Sequence, residues 1–261
     1  QVRVWDLTSG DLAAEFAGHE NGVASLAFAS AEQLITGGAD GLVKVWSLSG
    51  DSSVTELSGH DGPVSCVAAR PGARLAASGG EDGTVRLWDL ASGGAVWSAS
   101  GHEQPVQSVA FSADGGSVVS GGWDGVLKVW DIRKGSPTSS IPVGETVGTV
   151  VVDPHGGIAL SGGGDNRVTL WSDDGTPVRR FEGPGTWVYA VATNDTYMAT
   201  GSADGGIRVW DLTEGRLLRT IDAHSAAVAS LDMSDDGTRL ISGGGDGRVR
   251  VWDALSGDML Y

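Results

Sequence analysis

Short apolar runs separated by polar, glycine-rich turns recur along the whole chain at a nearly constant interval. The best-preserved unit joins two apolar runs through a turn that ends in Asp-Gly or, once, Asp-Asn. Copies begin at Leu34, Ala76, Val118, Ala159, Met198 and Leu240, and a shortened copy occupies residues 1–5. Such turns accept the positive φ angles of a tight hairpin, and the second run alternates apolar and polar positions. The pattern therefore predicts antiparallel strand pairs rather than helices.

Two further runs complete each unit. An upstream run has apolar residues that step by three and then by two, as in Val64, Val67 and Ala69, and one extra residue in an alternating pattern is typical of a β-bulge. A fourth run follows a polar turn after each closing tryptophan. These tryptophans are Trp5, Trp46, Trp88, Trp130, Trp171, Trp210 and Trp252. Four strands per unit and a period near 40 predict an all-β propeller.

The units do not fill a closed ring evenly. Residues 1–17 supply only the two outer strands of a first blade, and residues 18–261 supply six full repeats. We expect a single domain forming a seven-bladed propeller of four-stranded antiparallel blades, with the first blade incomplete. Its inner strands would lie upstream, or the ring would be cut from a longer or tandem propeller. Six blades with a spare half is the alternative.

The residues before each upstream run show a resemblance to a known family. Gly18-His19, Gly59-His60, Gly101-His102 and Ala223-His224, together with the Trp-Asp closures, resemble the WD40-repeat family over essentially the whole chain. The resemblance implies that a His, a Ser or Thr, the hairpin Asp and the closing Trp form a hydrogen-bonded chain within a blade. The four implied sets are His19, Thr36, Asp40, Trp46; His60, Ser78, Asp82, Trp88; His102, Ser120, Asp124, Trp130; and His224, Ser242, Asp246, Trp252.

Two units depart from this pattern. Val143 and Pro184 stand where histidine is expected, so Asp165 and Asp204 need another donor, and these blades should be the least regular. His155 lies in a turn, where we expect a solvated side chain. The basic residue two positions before most closing tryptophans shares the strand face of that indole and should lie along it or its Asp. This series is Lys44, Arg86, Lys128, Arg208 and Arg250.

Composition narrows the classes of partner. The chain has 261 residues, a net charge of −16, and one cysteine, Cys66, which falls in a strand and is expected to be a buried thiol. An acidic surface opposes binding to nucleic acid and to anionic membranes. No apolar run approaches 18 residues, and we expect a soluble, intracellular and cytoplasmic protein.

The sequence predicts no enzyme. Ser, His and Asp recur together in four units, whereas an enzyme needs its catalytic triad once. The repetition therefore indicates that these residues have a structural role in each blade. The glycine-rich turns lead into strands and offer no helix N-terminus for an anion. No spacing of ligands fits zinc or calcium, and we expect no metal and no cofactor.

The resemblance implies a partner-binding face. In the family, three positions per blade line the top face: the third and fifth residues after the His and the residue before the hairpin Asp. Most of these top-face positions are small here, but Trp123, Trp187 and Tyr189 are large aromatics, and Glu81 and Gln107 are polar. Trp187 or Tyr189 could instead fill the space of the missing histidine. We expect a peptide or protein site centred on Trp123 and extending toward Tyr189, with Glu81 favouring a basic group.

Two functions follow from this sequence. The first is a non-catalytic interaction scaffold whose partners are other proteins within a multi-subunit assembly. The second is a substrate receptor of a cullin-RING ubiquitin ligase. It rests on Trp130-Asp131-Ile132-Arg133, which is similar to the Trp-Asp-x-Arg signature of WD-repeat receptors, in which the Arg, here Arg133, contacts the adaptor.

Overall fold

The computed structural model describes residues 1–6, 9–50, 53–70, 72–152, 159–164, 166–172, 175–183 and 185–261, with the backbone alone at 159–161 and 163. Within this part of the chain every regular element is a β-strand, which confirms the all-β prediction. His155, Asp165 and Pro184, and the side chain of Ser161, lie outside the described residues.

The strands form seven consecutive antiparallel sheets, here numbered 1 to 7 in chain order. Sheet 1 contains β1 (Val2–Trp5) and β2 (Leu12–Phe16). Sheet 2 contains β3 (Val23–Ser30), β4 (Gln33–Gly38), β5 (Val43–Ser47) and β6 (Val54–Leu57). Sheet 3 contains β7 (Val64–Ala69), β8 (Leu75–Gly80), β9 (Thr84–Asp89) and β10 (Gly94–Ser100). Sheet 4 contains β11 (Val106–Phe111), β12 (Ser117–Gly122), β13 (Val126–Asp131) and β14 (Pro137–Pro142).

Sheet 5 contains β15 (Val147–Val151), β16 (Ala159–Gly163), β17 (Val168–Trp171) and β18 (Pro177–Phe181). Sheet 6 contains β19 (Val188–Thr193), β20 (Tyr197–Ser202), β21 (Gly206–Asp211) and β22 (Leu217–Asp222). Sheet 7 contains β23 (Val228–Met233), β24 (Arg239–Gly244) and β25 (Val249–Asp253), and its fourth run is reduced to a bridge between Trp252 and Met259.

Five of these sheets, 2 to 6, are complete four-stranded meanders of the kind that form propeller blades. In the described residues sheet 1 has two strands and sheet 7 has three, so the count of seven blades stays a prediction. The chain divides into two compact units. The first comprises Gln1–Phe111, Gly115–Asp124 and Val129–Thr138, and the second comprises Ser112–Asp114, Gly125–Lys128 and Ser139–Tyr261.

The predicted bulges are confirmed in the first strand of sheets 2 to 7. The register shifts there between the residue that starts the strand and the residue two positions later, for example between Val64 and Cys66 and between Val188 and Ala190. The residue in between, such as Tyr189, has no cross-strand partner. Its backbone twists locally, and its side chain leaves the regular alternation of the strand.

The hairpins between the second and third strands have the backbone conformation that the sequence predicted. The residue after the hairpin Asp has a positive φ, as in Gly41 (78°), Gly83 (71°) and Gly205 (81°). Asn166 takes the same position in sheet 5 with a φ of 61°. Glycine has no Cβ to clash in this region, and asparagine is the residue that tolerates it best after glycine.

Glycines also allow neighbouring sheets to stack closely within each unit. A Cβ added to Gly37 of β4 would lie 2.7 Å from Cγ1 of Val64 in β7, and one added to Gly201 of β20 would lie 2.6 Å from Cγ1 of Val228 in β23. In both places the first valine of one sheet packs against a glycine in the second strand of the preceding sheet. The two valines are fully buried as a result.

Apolar side chains between sheets form the core of each unit. In the first unit Trp88 packs with Ile35 and Val64, and Trp130 packs with Ala77 and Val106. In the second unit similar clusters surround Trp210 and Trp252. Each closing tryptophan of these sheets is buried, and aromatic burial of this size contributes strongly to stability.

Sheet 1 leaves apolar surface open. Trp5 is 52% exposed although the closing tryptophans of the other six sheets are buried. Leu26 of β3 is 53% exposed, whereas Val67, at the same position of sheet 3, is 7% exposed. Among the described residues β1 pairs with β2 alone, whereas the third strand of each of sheets 2 to 6 pairs with the second strand as well.

Candidate functional site

Each predicted hydrogen-bonded set is assembled in the structure. In sheet 3, His60 Nδ1 lies 3.0 Å from Asp82 Oδ2, His60 Nε2 lies 2.7 Å from Ser78 Oγ, and Trp88 Nε1 donates to the same hydroxyl at 2.8 Å. The corresponding distances in the sets of His19, His102 and His224 are between 2.7 and 3.0 Å.

The chemistry of the four groups determines which atom donates each hydrogen bond. A carboxylate only accepts and an indole N–H only donates, so in sheet 3 His60 Nδ1–H donates to Asp82. Ser78 then donates its hydroxyl proton to Nε2 and accepts from Trp88. Both ring nitrogens of His60, the Ser78 hydroxyl and the Trp88 N–H thus have a partner, which matters because the imidazole side chain is fully buried.

Electrostatics support a neutral imidazole beside a charged carboxylate in sheet 3. Burial lowers the pKa of His60 more than the hydrogen bond to Asp82 raises it. Burial acts to raise the pKa of Asp82, but hydrogen bonds from the Asp61 N–H, from Thr84 and from His60 lower it to about 2. The set therefore holds one fixed negative charge near neutral pH.

A glycine faces the histidine in each of the four sets. A Cβ added to Gly80 would lie 2.5 Å from His60 Nδ1, and one added to Gly122 would lie 2.8 Å from His102 Nδ1. Gly38 and Gly244 face their histidines at the same position. The last residue of the second strand is thus glycine because the imidazole ring leaves no room for a Cβ, and not because the backbone there has a positive φ.

Sheet 6 shows how the fold compensates for the missing histidine. Ser202 stands where the other sheets have that glycine, is fully buried, and donates its hydroxyl proton to Asp204 Oδ1 at 2.5 Å. Arg208 NH2 donates to Asp204 Oδ2 at 2.8 Å, and Trp210 Nε1 still donates to Thr200 at 3.2 Å. Burial opposes the shift, but Arg208 and Ser202 lower the pKa of Asp204 to about 2.

The basic series differs from sheet to sheet. Arg208 and Arg250 pair with the hairpin aspartates of their own sheets, the latter with Asp246 at 2.9 Å. Lys44 Nζ lies 5.9 Å from the centroid of the Trp46 ring and also pairs with Glu56. Lys128 donates to Ser140. Both of the expected placements, along the indole and at the Asp, thus occur.

The top-face positions are brought together by one repeated backbone hydrogen bond. The N–H of the residue before the hairpin Asp donates to the carbonyl of the third residue after the His position: Glu81 to Pro63, Trp123 to Pro105 and Ala203 to Trp187. Ala39, Gly164 and Gly245 do the same in their sheets. The fifth residue is the unpaired bulge residue. All three positions therefore lie at one end of each sheet.

Trp123 is the largest top-face residue of the first unit. Its side chain is 48% exposed. Gln107, the bulge residue of the same sheet, lies two residues after Pro105, whose carbonyl accepts the hydrogen bond from the Trp123 N–H. Glu81 is exposed on the neighbouring sheet 3, whose hairpin meets sheet 4: a Cβ added to Gly83 would lie 2.7 Å from the His102 carbonyl oxygen.

Trp187 and Tyr189 form an aromatic pair in the second unit. Their ring centroids lie 6.1 Å apart with 34° between the planes, and the side chains are 40% and 43% exposed. In this sheet Ser202 donates to Asp204, the residue to which histidine donates in the four sets. Trp123 belongs to the first unit, and Trp187 and Tyr189 belong to the second.

Arg133 lies at the other end of β13 from Trp123. It is exposed in the turn after that strand, where Asp131 Oδ1 accepts from the backbone N–H groups of Arg133 and Lys134. The turn is thus held by Asp131 while the guanidinium faces solvent.

Sequence reasoning missed several contributors. Ser202 completes the contacts of Asp204 in sheet 6, and it could have been found as the one exception to glycine among the aligned repeats. Glu145 gave no signal in the sequence. Among the described residues, no group of three or more His, Cys, Asp or Glu side chains could hold a metal ion, and no helix there is long and apolar enough to cross a membrane.

Repeated β-meanders closed by a buried Trp and linked by His, Ser or Thr, and Asp define a repeat protein of the propeller class. The family model "WD domain, G-beta repeat" matches residues 10–47, 51–89, 93–131, 175–211 and 215–253, more than half of the chain. The chain therefore belongs to the WD40-repeat family. Proteins of this family generally act as protein-interaction scaffolds, and the fold is typically not enzymatic. Residues 132–174, which include most of sheet 5, are unmatched.

Short segments of the chain are similar to characterised proteins. It is 33% identical over 88 residues to eukaryotic translation initiation factor 3 subunit I of Neurospora crassa, covering 33% of this chain and 25% of that protein. It is 33% identical over 98 residues to cell division control protein 4 of Candida albicans, covering 36% of this chain and 14% of that protein. It is 50% identical over 42 residues to mitochondrial division protein 1 of Eremothecium gossypii, covering 16% and 6%. The chain thus spans a quarter or less of these relatives.

Proposed function

We propose that this protein is a non-catalytic scaffold that binds peptide or protein partners through its top-face positions, with Trp123 as the main anchor. The exposure of Trp123 carries this proposal. Five equivalent positions hold Ala, Glu or Gly, so the hairpin itself needs no large side chain. A half-exposed indole on a rigid hairpin loses little conformational entropy on binding and offers a large apolar area.

The surroundings of Trp123 favour a partner with a basic group. Glu81 is exposed on the adjoining edge of sheet 3, and Gln107 offers a side-chain amide on the bulge beside Pro105. The net charge of −16 attracts cationic surfaces and repels nucleic acid and anionic lipid. We expect partners within a multi-subunit assembly. The name of one relative, subunit I of a translation initiation factor, is consistent with this setting.

The finer architecture is part of the same proposal. We expect one domain in which the sheets form a seven-bladed ring, with sheet 1 as the outer half of a blade. The open edge of β1 and the exposed Trp5 and Leu26 favour this arrangement, since two further strands would pair with that edge and cover those side chains.

Affinity capture from a cell lysate with mass spectrometry would identify partners for the test. Trp123→Ala should weaken binding to the identified partner at least about tenfold, because truncating an interface tryptophan costs about 2 kcal/mol or more. The melting temperature should stay nearly unchanged. Trp5→Ala is the matched control, since it removes an equally exposed indole elsewhere in the first unit. Unaltered affinity of the Trp123 variant would contradict the proposal.

Arg133 favours a second candidate function, the substrate receptor of a cullin-RING ubiquitin ligase. Its guanidinium is exposed at the end of sheet 4 opposite Trp123, so an adaptor and a substrate could bind at different ends. Co-purification with the ligase adaptor that is lost in Arg133→Ala and kept in the neighbouring Lys134→Ala would support this function. Absence of the adaptor from the wild-type complex would exclude it.

A further inference from the structure

In the second unit an aromatic ring and a carboxylate flank Gly164. A Cβ added to Gly164 would lie 3.5 Å from Cζ2 of Trp187 and 3.8 Å from Oε2 of Glu145, so these two atoms lie close to the same point. The same Cβ would lie only 2.8 Å from Oγ1 of Thr146, so residue 164 has no room for a side chain. We call the surface that Trp187, Glu145 and Thr146 border at this glycine the slot.

The walls of this slot are fixed by backbone. Gly164 N–H donates to the Thr146 carbonyl at 3.1 Å, and Ala203 N–H donates to the Trp187 carbonyl at 2.9 Å. Tyr189 lies against Trp187 and extends the aromatic wall. Glu145 is exposed, and no described contact ties its carboxylate to a basic side chain. The slot thus offers an aromatic ring, a hydroxyl and a negative charge toward solvent.

We infer that Trp187, Tyr189 and Glu145 form a subsite for an alkylammonium group, such as a lysine side chain of a partner. The π face of indole attracts a cation, the carboxylate pairs with it, and the methylene stem gains apolar contact with the rings. The inference rests on the proposed binding function and adds the chemistry of one contact. An anionic group would be repelled by the Glu145 carboxylate. A purely apolar group would leave that carboxylate without an ion pair.

A small probe tests the slot without any partner. The protein, labelled with ¹⁵N and with ring-labelled tyrosine, is titrated with n-butylammonium, and the Trp187 indole N–H and Tyr189 ring signals are followed by NMR. Saturable shifts of both signals are expected. Neutral n-butanol, which has the same number of carbon atoms, should bind at least about fivefold more weakly, since about 1 kcal/mol of cation–π and ion-pair interaction is lost.

Variants separate the slot from the general negative charge of the protein. Glu145→Gln should weaken n-butylammonium binding about fivefold, and Trp187→Leu should abolish the saturable shift at Tyr189. Glu214→Gln is the matched control, because it removes an exposed carboxylate of the same unit from a turn that follows β21. Equal binding of alcohol and ammonium, or equal effects of the two glutamine variants, would overturn the inference.

The outcome is independent of the proposed function. Ammonium binding in the slot with no effect of Trp123→Ala on a partner would retain the subsite and reject Trp123 as the anchor. Loss of partner binding in Trp123→Ala with no ammonium binding would do the reverse.

Discussion

The hydroxyl at the centre of each hydrogen-bonded set should contribute in proportion to the partners it holds, and two threonines offer a matched comparison. Thr36 Oγ1 lies 2.7 Å from His19 Nε2 and 2.8 Å from Trp46 Nε1. Among the described residues, the hydrogen bond of Thr200 Oγ1 is the one that it accepts from Trp210 Nε1, at 3.2 Å. Both threonines are almost fully buried, and valine replaces the hydroxyl by a methyl group of similar size in each case.

Thr36→Val leaves two buried polar atoms without a partner. The His19 side chain is fully buried and the Trp46 indole is nearly so. Each stranded group costs about 1–3 kcal/mol, which gives a loss of about 2–6 kcal/mol in the free energy of unfolding. Thr200→Val strands one donor from a longer bond, for which we expect about 1 kcal/mol. The predicted difference is therefore at least about 1 kcal/mol.

Urea unfolding followed by circular dichroism would measure both losses. The midpoint and the slope are needed, since a change in slope would indicate loss of a sheet before the rest of the protein. Thr36→Ser is the control for the lost methyl group. It keeps the hydroxyl and should cost less than Thr36→Val, because serine holds this position in three other sets. Equal losses for the two valine variants would refute the assignment of the hydroxyl as a shared acceptor and donor.

Four further predictions follow from the sets and from sheet 1. Gly80→Ala should lower the urea midpoint by displacing the ring of His60, whereas Gly245→Ala, whose Cβ would meet its first neighbour at 3.4 Å, should change it little. His60→Ala and Asp82→Ala should lower the melting temperature more than His155→Ala, and three equal temperatures would contradict the role of the set. Stability should fall on acidification. The pKa of His60 is lowered in the folded protein, so as the pH falls the histidine of the unfolded chain is protonated before that of the folded protein, which favours unfolding. The stability that the charged Asp82 contributes is lost as the pH falls toward its folded pKa of about 2. A urea midpoint that rises between pH 7 and pH 5 would reject this sign. Two added strands before β1 should raise the melting temperature and reduce aggregation, and no change in either would reject the incomplete-blade interpretation.

The local structure was largely readable from sequence. Alternation in the run from Val43 to Ser47 and the Asp-Gly turn before it predicted a strand and its hairpin, and the three-then-two spacing predicted the bulge between Val64 and Cys66. These features depend on residues close in the chain, where sterics and side-chain alternation decide the outcome. The four sets were also placed correctly by position, because each lies within a single repeat.

Compensation within a sheet was predicted only in part. The sequence required a new donor for Asp204 and placed Arg208 along its indole or its Asp without choosing between the two. In the structure Arg208 donates to the carboxylate, and so does Ser202, for which no donor role was predicted. The exposure of Trp123 was likewise an expectation that needed the packing of neighbouring residues to be known.

The sequence by itself determined the all-β class, the repeat, the bulges and the composition of each set. Each blade forms from residues that are close in the sequence, and the same pattern of residues occurs in six copies. Only the tertiary structure decided which side chains meet across repeats. Val64 packs against Gly37 of the preceding sheet, and Trp187 and Glu145 both lie close to Gly164. Such contacts depend on how closely two sheets approach, a distance set by the packing of both, which no single repeat encodes.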